Sequence, residues 1–265
     1  MTESVHQVVF FRHGHSEWNL TDRFTGWTDI PLTEVGLAEA AAAGRKLAQS
    51  GFVFDEVHGS VLLRTRQTTE VLLDAMGTPE VPLLTSWRLN ERHYGSLQGM
   101  DKHEIFSTWG EAASRRWWRG YVESPPPLDF NDPRHPRFDP LYAALDPAGL
   151  PASESLRDCQ QRTLPYWNEV LLPRIRAGRR LLVVSHGNTL RGLVMHLDGL
   201  SAEAVEQVEI PSGVPLVYRF DADLRVIDHA WLPVPDARVK DPAGQNPASP
   251  IPASPIQDPA PNRRA

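Results

Sequence analysis

Two short segments of the chain share one design. In VVFFRHGHS, Arg12 and His13 come directly after an apolar run; in LLVVSHGNT, His186 comes directly after another. An imidazole with one unprotonated nitrogen is a nucleophile or a proton carrier. In open α/β sheets, ligands bind outside the carboxyl ends of the strands, so two histidines placed in this way can face one site. Gly14 and Gly187 would let the backbone approach a ligand closely. A helix beginning after Asn188, near Thr189, would aim its first amides at an anion. Either histidine alone reads equally well as a hydrogen-bonded residue at a strand end. The pair, with matching flanks, points to a shared site.

Other residues point to an anionic ligand. In SVLLRTRQT, Arg64 and Arg66 fall at the start of an expected helix, and arginine's planar fork grips phosphate oxygens in pairs. Arg66 on its own reads as a solvated surface charge. WRLNERHYG sets Glu91 between arginines. A carboxylate beside a bound phosphate feels like-charge repulsion that favours its protonated form, which suits it to proton exchange near neutral pH. The His and carboxylate spacing shows no metal-ligand motif, although His13 and His15 could ligate a metal together.

These groups must be held by strands and helices. Short apolar runs at Val8–Phe11, Phe54–His58, Val81–Leu84, Arg180–Ser185, Leu216–Phe220 and Arg225–Ala230 read as strands. Helices are expected over Thr33–Ser50 (Thr33 as N-cap), Arg64–Met76 (closed by Gly77), Asp101–Tyr121 and Glu154–Ala177, the last kinked or divided by Pro165 and Pro173. The alternation implies an α/β fold with a mainly parallel, covered sheet. Ser124–Pro151, containing PPPLDFNDPRHPRFDP, reads as an irregular excursion too long to be a neutral connector.

The chain has 265 residues, 41% of them hydrophobic and 23% charged, which is ordinary for a soluble globular protein and enough for one large α/β domain, or at a stretch two small ones; one catalytic domain is expected over 1–232. Residues 233–265, dominated by Pro, Ala, Ser and Asp, read as a disordered tail. A net charge of -6 argues against nucleic-acid binding but leaves an anionic substrate open. A single cysteine, Cys159, precludes an internal disulfide. There is no signal-peptide pattern and no run near the roughly 20 apolar residues of a membrane span. The expectation is a cytoplasmic protein with no membrane partner.

RHGHSEWN, RFTGW, LNERHYG, PPP, ESL, YWNE, HGNTLRG and PSGVPLVY follow one another in order. Together they resemble the 2,3-bisphosphoglycerate-dependent phosphoglycerate mutases of the histidine phosphatase superfamily, from about Val8 to Trp231. The resemblance implies a three-layer sandwich of the phosphoglycerate mutase-like fold. It also implies interconversion of 3-phosphoglycerate and 2-phosphoglycerate in glycolysis and gluconeogenesis. A 2,3-bisphosphoglycerate primer is expected, without a metal, in a dimer or tetramer. By the same resemblance His13 is the residue phosphorylated, Glu91 the proton donor and acceptor, His186 the group that steadies the transferring phosphoryl, and Arg12 and Arg64 the phosphate clamp. Asn19, Thr25, Gly26, Arg92, Tyr94, Lys102, Arg119, Gly187 and Asn188 match positions lining the substrate pocket, and Ser16 falls in the same first loop.

The chain departs from that pattern in places. His15 stands where the family has Glu or Gln, which should shift the pH profile without abolishing activity. Trp118 precedes Arg119 where the family tends to have two arginines. Arg115 or Arg116, a helical turn back, could supply the missing cation. The alternatives to a mutase are a phosphatase on the same fold and a non-catalytic relative that binds a phosphorylated ligand or a partner protein.

Overall fold

The computed structural model describes residues 6–234. The first apolar run becomes β1 (His6–Arg12), the strand on which the two cores meet. Successive side chains of a strand point to opposite faces. Val8 and Phe10 therefore join one core, and Val9 and Phe11 the other. The sheet is completed by β2 (Glu56–Gly59), β3 (Leu83–Thr85), β4 (Leu181–Ser185), β5 (Leu216–Phe220) and β6 (Val226–Trp231), in the order β3-β2-β4-β1-β5-β6. The first four strands run parallel. β5 pairs antiparallel with β1, and β6 with β5. The mainly parallel sheet thus has an antiparallel edge, because β5 and β6 are joined by a short hairpin, and parallel neighbours need a long crossover.

Nine helices appear among the described residues: α1 (Glu17–Leu20), α2 (Glu34–Gln49), α3 (Leu63–Met76), α4 (Lys102–Trp109), α5 (Glu111–Arg119), α6 (Leu156–Tyr166), α7 (Leu172–Arg176), α8 (Gly187–Asp198) and α9 (Ala202–Glu206). α2 and α3 cover one face of the sheet through Ala43, Leu47, Leu72 and Leu73. α6, α7 and α8 cover the other through Leu156, Ile175, Leu190 and Leu193, which makes the fold a three-layer sandwich. Thr33 caps α2 by accepting from the Gly36 amide at 3.1 Å, and Gly77 closes α3 in the left-handed region.

Some boundaries differ from the sequence expectation. The single helix expected over Asp101–Tyr121 is two helices, broken at Gly110, whose φ of 80° no right-handed helix accepts. Pro165 stays inside α6. The strain is taken up by a π turn at Trp167–Leu171, and Pro173 falls in the first turn of α7, where its missing N–H costs little. The excursion at 124–151 folds into three single 3₁₀ turns. It buries Tyr142 and Leu150 against Trp27 and so covers the loop that carries Glu91. The expected tail lies outside the described residues from 235 onward.

β1 and β4 lie side by side, with Arg12 opposite Ser185. The chain leaves β1 toward β2 on one side and leaves β4 toward β5 on the other. That divergence opens a crevice at the carboxyl ends of the two strands.

Candidate active site

The His13 amide donates to the Ser185 carbonyl at 3.0 Å, which extends the ladder by one residue and sets His13 beside His186. The two rings meet edge-on, with centroids 5.0 Å apart. His13 Nδ1 lies 2.7 Å from the Gly14 carbonyl oxygen. A carbonyl can only accept, so Nδ1 carries the proton and Nε2 keeps its lone pair. Burial, followed by the charges of Arg64 and Arg12, holds the ring's proton affinity well below the usual histidine range. His13 is therefore a neutral nucleophile at physiological pH. His186 is fully buried and its proton affinity is lowered likewise, first by burial and then by Arg64 and His13. Its Nε2 shares a 2.8 Å hydrogen bond with the Ser60 hydroxyl, and its Nδ1 has no protein partner.

Arg64 comes from the first turn of α3 and is 1% exposed. It donates to the Gly26 carbonyl at 2.8 Å and the Thr28 carbonyl at 3.0 Å, so the loop after α1 fixes its plane. Burial, partly offset by Glu91, lowers its pKa to about 10, which still leaves it charged. Arg12 is tied to the Ile210 carbonyl at 2.8 Å. Glu91 Oε1 accepts from the Arg92 amide at 2.8 Å and from the Asn188 amide, in the first turn of α8, at 3.2 Å. These groups line one cavity of about 140 Å³. That is below the roughly 300–1,000 Å³ of a drug-sized ligand site, so a small metabolite fits better than a nucleotide. Six guanidinium or ammonium groups line it (Arg12, Arg23, Arg64, Lys102, Arg119, Arg191) against the carboxylates Glu91 and Glu209. The occupant is anionic.

With this geometry in place, the comparisons decide the family. A model of the histidine phosphatase superfamily (branch 1) matches residues 8–230. A 2,3-bisphosphoglycerate-dependent phosphoglycerate mutase of Nitratidesulfovibrio vulgaris is 49% identical over 91% of this chain and 98% of its own length. The chain belongs to the phosphoglycerate mutase family of the histidine phosphatase superfamily. A second relative of the same name, from Nitrosococcus oceani, is 47% identical over 85% of this chain and 94% of its own. A solved phosphoglycerate mutase from Bacillus anthracis shares the fold at a TM-score of 0.63 and 19% identity, over 86% of this chain and 92% of that one.

For this mutase-family chain, most residues singled out in the sequence come together. Arg12, His13, Asn19, Thr25, Gly26, Arg64, Glu91, Tyr94, Lys102, Arg119, Gly187 and Asn188 line the cavity. Three do not. His186 stands behind His13. Ser16 is buried, and its amide and hydroxyl both bond the Asn19 side chain, which holds Asn19 in the wall. Arg92 is buried beneath the floor, stacked 4.7 Å from the Tyr94 ring, and donates to the Trp118 carbonyl.

Three further expectations change. α8 begins at Gly187 rather than near Thr189, with His186 as its extended N-cap. Its Asn188 amide donates to an anion of the protein itself, the Glu91 carboxylate, rather than to a ligand. Gly14 is dictated by packing: a Cβ there would lie 2.3 Å from the Gly36 carbonyl oxygen of α2. Arg115 and Arg116 turn outward, to Glu111 at 3.8 Å and Glu123 at 2.9 Å, and supply no cation to the cavity. His15 is not part of the wall; its amide is held by Glu39 at 2.9 Å, and its charge is among those that lower the proton affinity of His13.

The sequence reading missed the brace behind Glu91. Arg162 on α6 donates to the carbonyls of Trp87, Arg88, Asn90 and Glu91, and forks onto Glu154 at 2.6 and 2.9 Å. Glu154 in turn accepts from the His93 amide at 2.9 Å. It also missed Arg23, Phe24, Arg191, Glu209 and Ile210. Arg23 and Phe24 stand in RFTGW beside Thr25 and Gly26, and Arg191 one helical turn after Asn188 in HGNTLRG, where it donates to Asn188 at 2.9 Å. Among the described residues, no group of three or more His, Cys, Asp or Glu could hold a metal ion, and no helix is long and apolar enough to cross a membrane.

Proposed function

We infer that this chain interconverts 3-phosphoglycerate and 2-phosphoglycerate through a phosphohistidine at Nε2 of His13. The observation that carries the reading is the His13–Gly14 hydrogen bond, which leaves Nε2 as the unprotonated nitrogen in a small, strongly cationic cavity that also holds the Glu91 carboxylate. The mutase reading is favoured over a phosphatase by the 45–49% identity to relatives named as mutases over nearly their whole length.

The cavity's cations and the lone pair of His13 suit 2,3-bisphosphoglycerate, which would supply the phosphoryl group that charges His13. Phosphorylated His13 then gives its phosphoryl group to the C2 hydroxyl oxygen of 3-phosphoglycerate. The Nε2–P bond breaks, an O–P bond forms, and Glu91 takes the hydroxyl proton. After the bound molecule turns around, Nε2 of His13 takes the phosphoryl group from the C3 oxygen. Glu91 returns its proton to that oxygen, and 2-phosphoglycerate leaves. Arg12 and Arg64 neutralise charge on the oxygens in flight, and the unpartnered Nδ1 of His186 is the nitrogen available to donate to them. The fixed backbone bonds to Glu91 hold it in place for both proton transfers.

The test is formation of 2-phosphoglycerate from 3-phosphoglycerate, with and without trace 2,3-bisphosphoglycerate, while free phosphate is followed. Isomerisation that depends on the bisphosphate and releases little phosphate supports the reading. Phosphate release without isomerisation would replace it with a phosphatase.

A further inference from the structure

Arg119 is the cavity cation whose surroundings are least like a plain phosphate clamp. Its Nε and NH2 groups donate to the Glu206 carbonyl at 3.0 and 2.8 Å, and NH2 also reaches the Val208 carbonyl at 2.9 Å. These bonds fix the guanidinium on the loop between α9 and β5. The same NH2 pairs with the Glu209 carboxylate at 2.7 Å, and Glu209 is itself part of the cavity wall. The loop is anchored independently of Glu209, by Arg12 on the Ile210 carbonyl and by Ser212 donating to Glu39. Glu209 is therefore not needed to hold the loop, or to hold Arg119 on it. Arg119 shares one cavity wall with His13, Lys102, Arg191 and Glu209.

We propose that Glu209 is a built-in competitor that moderates substrate affinity, its carboxylate contending with the ligand's carboxylate for Arg119. This rests on the reading of the cavity as a phosphoglycerate site. A carboxylate that draws on Arg119 competes with the Glu209 carboxylate, which is 46% exposed. A ligand without that group makes no such demand on Arg119. Glu209 thus weakens binding of the carboxylate-bearing ligand alone.

The experiment is calorimetric binding of 3-phosphoglycerate and of glycerol 3-phosphate, which lacks the carboxylate, to the wild-type chain and to Glu209→Gln. Turnover of 3-phosphoglycerate by the wild type is measured alongside. Loss of a partly exposed ion pair and of one like-charge contact should tighten 3-phosphoglycerate binding roughly three- to tenfold and leave glycerol 3-phosphate within about twofold. Unchanged or weaker 3-phosphoglycerate binding in the variant would overturn the proposal and make Glu209 a group that merely positions Arg119. Equal tightening of both ligands would also overturn it. A wild type that binds and shows the Glu209 effect but does not isomerise would overturn only the assigned reaction. A wild type that isomerises without the effect would overturn only the role of Glu209.

Discussion

Replacing Arg162 by Met should damage both the stability of the fold and the placement of Glu91. The guanidinium is 6% exposed and the Glu154 carboxylate 4%. The substitution removes both arms of that fork and leaves four backbone carbonyls, from Trp87 to Glu91, without this donor. Breaking a buried ion pair by removing one partner costs about 3–5 kcal/mol, since the other charge stays buried and unpaired. Against a total stability of about 5–15 kcal/mol this is a large fraction, and at about 2–4 °C per kcal/mol it lowers Tm by roughly 6–20 °C. Adding Glu154→Gln removes the stranded charge but keeps an oxygen for the His93 amide, so the double variant should recover part of the loss. kcat should fall by up to about 100-fold, the scale expected when a reacting group is misplaced by about 1 Å, with KM less affected. Urea unfolding of the wild type, both single variants and the double variant closes the cycle. A loss below about 1 kcal/mol in Arg162→Met, or a double variant no more stable than Arg162→Met, would refute a buried, strongly coupled pair.

Stability should fall on mild acidification. His13 and His186 are held well below 6.5, and His93 at about 3, in each case chiefly by burial, whereas in the unfolded chain each protonates near 6.5. Below pH 6.5 the unfolded state therefore binds more protons, and stability drops by about 1.4 kcal/mol per pH unit for each group, or about 4 for the three together. Urea midpoints that stay level from pH 7 to 5 would contradict this. The double variant Arg115→Ala, Arg116→Ala should keep the affinity for 3-phosphoglycerate within about twofold, because both pairs are exposed and outside the cavity. A large rise in KM would show that one of them reaches the ligand.

What could be read from the sequence was local. Arg12 ends a strand, His13 and His186 follow one, and Arg64 opens a helix, so a short window contains both the residue and the element that aims it; Glu91, in a loop, was legible only within LNERHYG. The sheet interior was legible for the same reason, since β1 and β4 are continuous apolar runs. The antiparallel edge was not, because a strand of β5's length carries no mark of its direction. Arg162 and Glu209 were hidden because each acts across the fold: Arg162 meets carbonyls more than 70 positions away, and Glu209, in a loop, meets Arg119 at the end of α5. Single charged residues on or beside helices usually read as solvated, and only the tertiary structure shows them facing inward. The break at Gly110 was missed because KHEIFSTW before it and EAASRRWWR after it both read as helical, and the one glycine between them allows the turn.

The most direct test of the central claim is exposure of the chain to 2,3-bisphosphoglycerate labelled in its phosphoryl groups, followed by location of the label on the protein and then addition of unlabelled 3-phosphoglycerate. The account predicts acid-labile label on His13 Nε2, none in His13→Gln, and passage of the label into phosphoglycerate rather than water. Label on a different residue, or label lost as free phosphate while no 2-phosphoglycerate forms, would contradict it.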